Sequence, residues 1–136
     1  MTKIHHVGIA VTSIEKALAF HTQALNMSQV SDVIDDKILN VKVVLLAING
    51  QPIESCLLEL VEPTISPSPI DKILKQNNHL YHYCIEVPSL EEALKLARKN
   101  HAVIALPPTP AALFNGRPIA FVWTPTKYLI EFLKQE

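Results

Sequence analysis

The 136-residue sequence predicts an α+β fold built from two tandem β-α-β-β-β modules, eight strands in all, with one helix covering one face of each module's sheet. Three observations carry this reading. The stretch HHVGIAVTSIEKAL, residues 5–18, returns as YHYCIEVPSLEEAL, residues 81–94, with identity at His6/His82, Ile9/Ile85, Val11/Val87, Ser13/Ser89, Glu15/Glu91, Ala17/Ala93 and Leu18/Leu94. In both copies the apolar period changes from two to about 3.6 at the same place, the mark of a strand running into a helix. Beyond that point each half holds three further strand-like segments in the same order.

In the first strand Val7, Ile9 and Val11 alternate with His6, Gly8 and Ala10, so its two faces differ in character. Residues 13–26 follow with helical spacing of Ile14, Ala17, Leu18 and Leu25, and Thr12 with Glu15 reads as a capping box. Strands are expected at 27–34, 39–48 and 55–62, the last two joined through Asn49-Gly50, a hairpin signal. In the second half a strand at 80–87 leads to a helix at 89–100, capped by Ser89 and Glu92. Strands at 102–106, 118–124 and 128–133 complete it, the last two turning at Pro125. Between the halves, the prolines of EPTISPSPIDKILKQNN make a connector in which IDKILKQ forms a short helix. The organisation is one domain over 1–136: module one at 4–62, connector at 63–78, module two at 79–135.

Composition narrows the function. With 49% apolar and 18% charged residues and a net charge of −1, the chain has no basic stripe for nucleic acid and no like-charge block suggesting a disordered tail. No apolar run approaches the ~20 residues of a membrane helix. The strand pattern starts at once in MTKIHHVGIAV, which argues against an export signal and for the cytoplasm. Cys56 and Cys84 then read as reduced, buried thiols in apolar stretches.

The less apolar strand face carries the chemistry. Glu59 lies between Leu58 and Leu60, and Glu131 between Ile130 and Phe132. If those flanking residues pack on the helices, each glutamate shares a face with its module's histidine. His6 and Glu59 are 53 residues apart, His82 and Glu131 49, so the repeat predicts two His–Glu pairs related by a pseudo-twofold axis. One inward histidine is ordinarily a hydrogen-bonded core residue, and one strand glutamate is ordinarily solvated. Two of each, placed by a repeat that needs only apolar matches, call for another reason. Carboxylates brought together repel and resist desolvation unless a cation sits between them. A set of imidazole and carboxylate ligands suits Zn, Ni, Co, Mn or Fe(II) and leaves open positions, as in a catalytic site.

Paired β-α-β-β-β modules with His…Glu…His…Glu resemble the vicinal oxygen chelate superfamily, which includes glyoxalases, bleomycin-resistance proteins and ring-cleaving dioxygenases. HHVGIAVTSIEKALAF, LELVEPTISPSPIDKIL, YHYCIEV and LIEF resemble most closely the methylmalonyl-CoA epimerase family. The resemblance implies one cupped mixed sheet of eight strands with helices on its outer face. It implies a divalent cation held by His6, Glu59, His82 and Glu131, and an acyl-CoA substrate whose α-proton is shuttled by Glu131, with Glu59 as the second candidate. It also implies a homodimer, since such modules cover their sheet edges by pairing.

The sequence departs from the epimerase pattern at His21 and Asn26, which stand where tyrosine and glycine are frequent. On the third strand NVKVVLL offers Lys42 where some epimerases have a second catalytic glutamate. The hairpin WTPTKYLIEF is short, and PPTPAALFNGRPIAF replaces a glycine-rich loop. A glyoxalase I-like lyase, using one base on a thiol–methylglyoxal hemithioacetal, is therefore the main alternative, and a non-catalytic small-molecule-binding member is another. A dioxygenase fits less well, because its iron site uses two histidines and one carboxylate. Arg117 is a candidate for a substrate anion or an ordinary loop arginine. Phe114, Phe121 and Trp123 could line a substrate pocket or simply fill core, and Cys84, on the face of His82, could do either. His5 and His79 are turned away by parity.

Overall fold

The computed structural model describes residues 2–52 and 54–136, which cluster into two compact units. One comprises the described residues of 6–81; the other joins residues 2–5 to residues 82–136. The elements along the chain are β1 (Lys3–Ala10), α1 (Ile14–Ala24), β2 (Met27–Gln29), β3 (Ile34–Asp36), β4 (Val41–Ile48), β5 (Leu57–Pro63) and α2 (Asp71–Lys75). They continue with β6 (Leu80–Val87), α3 (Leu90–Lys99), β7 (Val103–Pro110), a 3₁₀ turn (Ala112–Phe114), β8 (Pro118–Trp123) and β9 (Leu129–Lys134). Both units are α+β, and each contains parallel and antiparallel strand pairs.

In the 6–81 unit the strand order is β2-β4-β5-β1. β1 runs parallel to β5, while β4 pairs antiparallel with β5 and with β2. The helix α1 packs over one sheet face, where Ile14, Val44, Leu46 and Leu60 are buried against Ile9 and Val11. Truncating Leu46 or Leu60, both fully buried, to alanine is the type of change that costs about 2–5 kcal/mol.

Three features of this unit differ from expectation. The single strand foreseen at 27–34 is two short ones, because β3 pairs β4 with its register offset from that of β2 (Gln29 opposite Leu46, Ile34 opposite Val43). Ser31 makes the break tolerable: its hydroxyl accepts the Leu45 N–H at 2.8 Å, a ladder bond that a backbone carbonyl would otherwise supply. Among its described residues the unit thus has five strands rather than four. The α1 cap is also not the Thr12/Glu15 box. Ser13 is the extended N-cap residue and accepts from the Lys16 N–H, while Glu62 at the end of β5 accepts from the Ile14 N–H at 2.7 Å. A carboxylate aimed at the first turn satisfies an orphan donor and favours the positive end of the helix dipole. Finally, Cys56 is exposed rather than buried, because it lies in the connection before β5 rather than inside the strand. β4 and β5 do pair antiparallel, but Asn49-Gly50 is not the whole of their connection. It makes a turn closed by the Gln51 N–H on the Ile48 carbonyl, with Gly50 at φ +84, a conformation that favours glycine, and the innermost strand pair is Leu46 with Leu58.

The second unit has the order β6-β9-β8-β7, with β6 parallel to β9 and the other pairs antiparallel. Ser89 caps α3 by accepting from the Glu92 N–H, as the sequence indicates. Leu90 and Leu94 of α3 pack on Val87, Ala120 and Val122, with Ile85, Ile130 and Phe132 beside them. β7 runs past the expected 102–106 to Pro110 despite three prolines. It is the edge strand of its unit, where a missing N–H costs no ladder bond, and its register with β8 is irregular through that stretch.

The cysteines provide a direct check. Cys84 is fully buried, whereas Cys56 is exposed and its thiol is raised in pKa by partial burial of the sulfur. A thiol reagent is expected to titrate one sulfhydryl in the native protein, slowly, and two after denaturation.

Candidate metal centre

Strand pairing fixes which side chains share a face, because residues directly opposite one another point the same way. In the 6–81 unit, Gly8 lies opposite Glu59 and Leu45 lies opposite it on the other side. The face away from α1 therefore carries His6 and Glu59. In the other unit Cys84 and Phe121 flank Glu131 in register, which puts His82, Cys84, Glu131 and Phe121 on the face away from α3. The flanking residues Leu58, Leu60, Ile130 and Phe132 do pack in the helix-side cores.

Each unit brings its own pair together. His6 Nε2 lies 3.6 Å from Glu59 Oε1, and His82 Nε2 lies 3.3 Å from Glu131 Oε1. All four residues are buried, none more than 5% exposed. Both pairs present the same imidazole nitrogen. Those separations exceed a good N–H···O hydrogen bond of about 2.7–3.2 Å. Two ligand atoms that share one ion stand roughly 3.0–3.4 Å apart, since bonds of about 2.0–2.1 Å meet at tetrahedral or octahedral angles; the His82 pair falls in that range and the His6 pair lies just above it. The residues thus fit a divalent cation in donor chemistry, and the His82 pair fits it in spacing as well.

The surroundings of the pairs are apolar. Val43 and Leu45 of β4, both nearly buried, share the face of Glu59, and Lys42 points the other way to pair with Glu62 at 3.9 Å. The Phe121 ring meets His82 edge-on at 5.2 Å. Trp123 is on the same face of β8 as Phe121 but at the strand end, where it is 46% exposed. Phe114 is buried in the 3₁₀ turn, against the His5 ring at 5.3 Å. His79 bonds through Nδ1 to the Ala10 carbonyl at 2.7 Å, and His21 does the same to the Ala17 carbonyl within α1.

Arg117 is committed within the fold. It donates to Glu86 Oε2 at 2.7 Å and to the Lys134 carbonyl, and its guanidinium lies 5.9 Å from the Phe114 ring centroid. Glu86 was not singled out by sequence reasoning, although continuing the alternation His82, Cys84, Glu86 would have placed it. Lys3 also approaches Glu86, at 3.7 Å. Burial alone would raise the Glu86 pKa, but the Arg117 hydrogen bond and the charges of His5, Lys3 and Arg117 outweigh it, so the carboxyl sits below its ordinary 4.5. Folded, Glu86 therefore binds fewer protons than unfolded near pH 4. The stability it contributes is complete above the ordinary carboxylate range and is lost as pH falls through the lowered folded value. Glu86→Gln is expected to flatten the acid limb of a stability-versus-pH curve below about pH 4.5. An unchanged limb would show that other carboxylates govern acid unfolding.

Comparison with known proteins agrees with this architecture. The family model of the Glyoxalase/Bleomycin resistance protein/Dioxygenase superfamily matches residues 5–121. The mitochondrial methylmalonyl-CoA epimerase of Mus musculus is 30% identical over 122 residues, covering 88% of this chain and 65% of the relative. A solved hypothetical protein from Bacillus halodurans C-125 superposes with a TM-score of 0.82 at 31% identity, covering 99% of this chain and 95% of the other. Methylmalonyl-CoA epimerase from Mycobacterium tuberculosis superposes with a TM-score of 0.83 at 21% identity, over 98% and 87% of the two chains, a likeness of fold. Among the described residues no helix is long and apolar enough to cross a membrane. The strand order of each unit, the duplicated His–Glu pairs and the family match lead to one conclusion: the chain belongs to the glyoxalase/bleomycin resistance/dioxygenase superfamily.

Proposed function

We propose that this chain is a metal-dependent proton-transfer enzyme acting on the carbon α to a thioester, with a methylmalonyl-CoA-like substrate. The observation that carries the reading is the duplicated buried pair, His Nε2 beside Glu Oε1 at 3.6 and 3.3 Å, on the helix-free face of each sheet. The epimerase names of the sequence relatives support the substrate class, and the chain spans 65–69% of the length of the mouse and Dictyostelium discoideum epimerases.

In this reading His6, Glu59, His82 and Glu131 hold one divalent ion of the Co, Ni, Zn, Mn or Fe(II) type. The ion, when bound, supplies fixed positive charge that stabilises the enolate. Glu131 takes the α-proton on a carboxylate oxygen. Cys84 and Phe121, in register on either side of Glu131, keep water from that carboxylate. Glu59 is the second candidate for moving a proton.

Epimerisation needs a proton returned to the opposite face of the enolate. The β4 positions beside Glu59 are Val43 and Leu45, with no acid to supply it. That observation favours a second reading, a glyoxalase-type lyase, in which one base works on one face of a hemithioacetal. A single experiment separates the two. Metal-loaded protein is incubated in D2O with methylmalonyl-CoA and, separately, with the glutathione–methylglyoxal adduct. Deuterium entering C2 of the thioester supports the first reading, conversion of the adduct supports the second, and inertness towards both removes the enzymatic assignment. A homodimer and a cytoplasmic location belong to the same proposal; sedimentation at micromolar concentration tests the first.

A further inference from the structure

The second unit has a basic groove on the side of its sheet opposite Glu131. It runs along α3, has a volume of about 1290 Å³, and is open to solvent. Lys95, Arg98 and Lys99 line it from the helix and Lys134 from the end of β9, with Glu91 as the one carboxylate among its lining residues. Apart from Ser89 its remaining wall is apolar: Leu90, Leu94 and Ile104, with the rings of Pro88, Pro108 and Pro118. Among the described residues none of the four cations has a carboxylate within ion-pair distance.

Basic residues in a last helical turn often do no more than offset the helix dipole. That accounts for Arg98 and Lys99. It does not account for Lys95, one turn earlier, or for Lys134, which comes from a different element. Lys95, Arg98 and Lys99 are spaced i, i+3, i+4 and so stand on one stripe of the helix. The charge is also unevenly divided: this unit has seven Lys and Arg against five Asp and Glu, and residues 6–81 have five against eight. A groove that gathers unpaired cations beside apolar and proline surfaces suits a ligand with clustered negative charge and a flat apolar body. The α3 helix is about 15 Å long, the rise of ten residues, which leaves room for such a ligand along it.

We propose that this groove binds the diphosphate and base of a nucleoside diphosphate, either free or as the tail of a larger cofactor. Lys95, Arg98, Lys99 and Lys134 hold the phosphates, and Leu94, Ile104 and the proline rings take the base. The site is separate from the His–Glu pairs and does not depend on the enzymatic reading.

The test uses the full chain in EDTA, so that phosphate cannot report on a bound metal. ADP and inorganic pyrophosphate are titrated calorimetrically at 50 and 200 mM NaCl. Saturable ADP binding below about 1 mM is expected, about fivefold or more tighter than pyrophosphate and severalfold weaker at the higher salt. Lys95→Glu/Lys99→Glu is expected to weaken it at least about tenfold, whereas Lys72→Glu/Lys75→Glu, a charge change of equal size on α2, leaves it unchanged. Both pairs are exposed, so the variants fold, and circular dichroism verifies this. Competition by coenzyme A tells the two sources apart: displacement of ADP supports the cofactor tail, and none supports the free nucleotide. No saturation by 10 mM ADP, equal affinity for pyrophosphate, or indifference to the α3 reversal overturns the proposal.

Discussion

The His82→Ala protein is expected to lose its divalent ion, with affinity for Co or Zn falling at least about a hundredfold. Removing an outer-shell partner of a ligand already costs 10–100-fold, and loss of a ligand costs no less. Stability supplies an independent readout. An ion at a hundred times its Kd stabilises the folded chain by about 2.7 kcal/mol, so EDTA should lower the wild-type melting midpoint by roughly 5–15 °C. If the pairs are only structural, the result differs. Removing one member of a buried pair then costs about 3–5 kcal/mol with or without EDTA, because a polar group is left buried without its partner. The double variant His82→Leu/Glu131→Leu separates the cases, since replacing both members of a buried pair by apolar residues is often tolerated. Its midpoint should be near that of the wild type in EDTA and should not respond to added metal. A wild-type midpoint indifferent to both metal and EDTA would remove the cation from the picture.

The second large effect is chemical. At saturating metal, Glu131→Gln is expected to slow deuterium exchange at C2 of methylmalonyl-CoA by about 10²–10⁴-fold, the usual contribution of a positioned general base. The amide is nearly isosteric and keeps an oxygen, so KM should change far less than kcat. Glu59→Gln should cost less in kcat if Glu59 serves mainly to hold the ion, and more if it delivers the second proton. Exchange by Glu131→Gln within about threefold of wild type would exclude Glu131 as the base. With Val43 and Leu45 beside Glu59, exchange without inversion at C2 is the expected signature of a site with one working base.

How much of this was legible beforehand follows from the range of the interactions involved. Side-chain alternation is local, so reading Val7, Ile9 and Val11 against His6, Gly8 and Ala10 was enough to separate the two faces of β1. The same held for Glu59 between two leucines and for Glu131 between Ile130 and Phe132, all four of whose neighbours pack in the helix-side cores. The Ser89 cap is also a local device and was readable. The Thr12/Glu15 cap misled because the local pattern there is double: Ser13, the repeat counterpart of Ser89, is the N-cap, and the Ile14 N–H goes to Glu62, 48 residues away. Likewise the break in the strand at 27–34 depends on Ser31 reaching the backbone of β4, which no local pattern records. The prolines of β7 looked like loop until that strand's place at the edge of its unit was known.

The sequence by itself therefore determined the two repeats, the helix-facing side of each strand, and the four buried polar residues left on the other side. These depend on a period of two or 3.6 residues, which the backbone imposes wherever the chain goes. Only the tertiary structure decided the register that sets Glu59 opposite Gly8 and Glu131 opposite Cys84, and the distances within each His–Glu pair. It also decided that Arg117 bonds Glu86. Such matches arise when distant segments choose one alignment among several with the same alternation, and that choice is made by packing across the sheet.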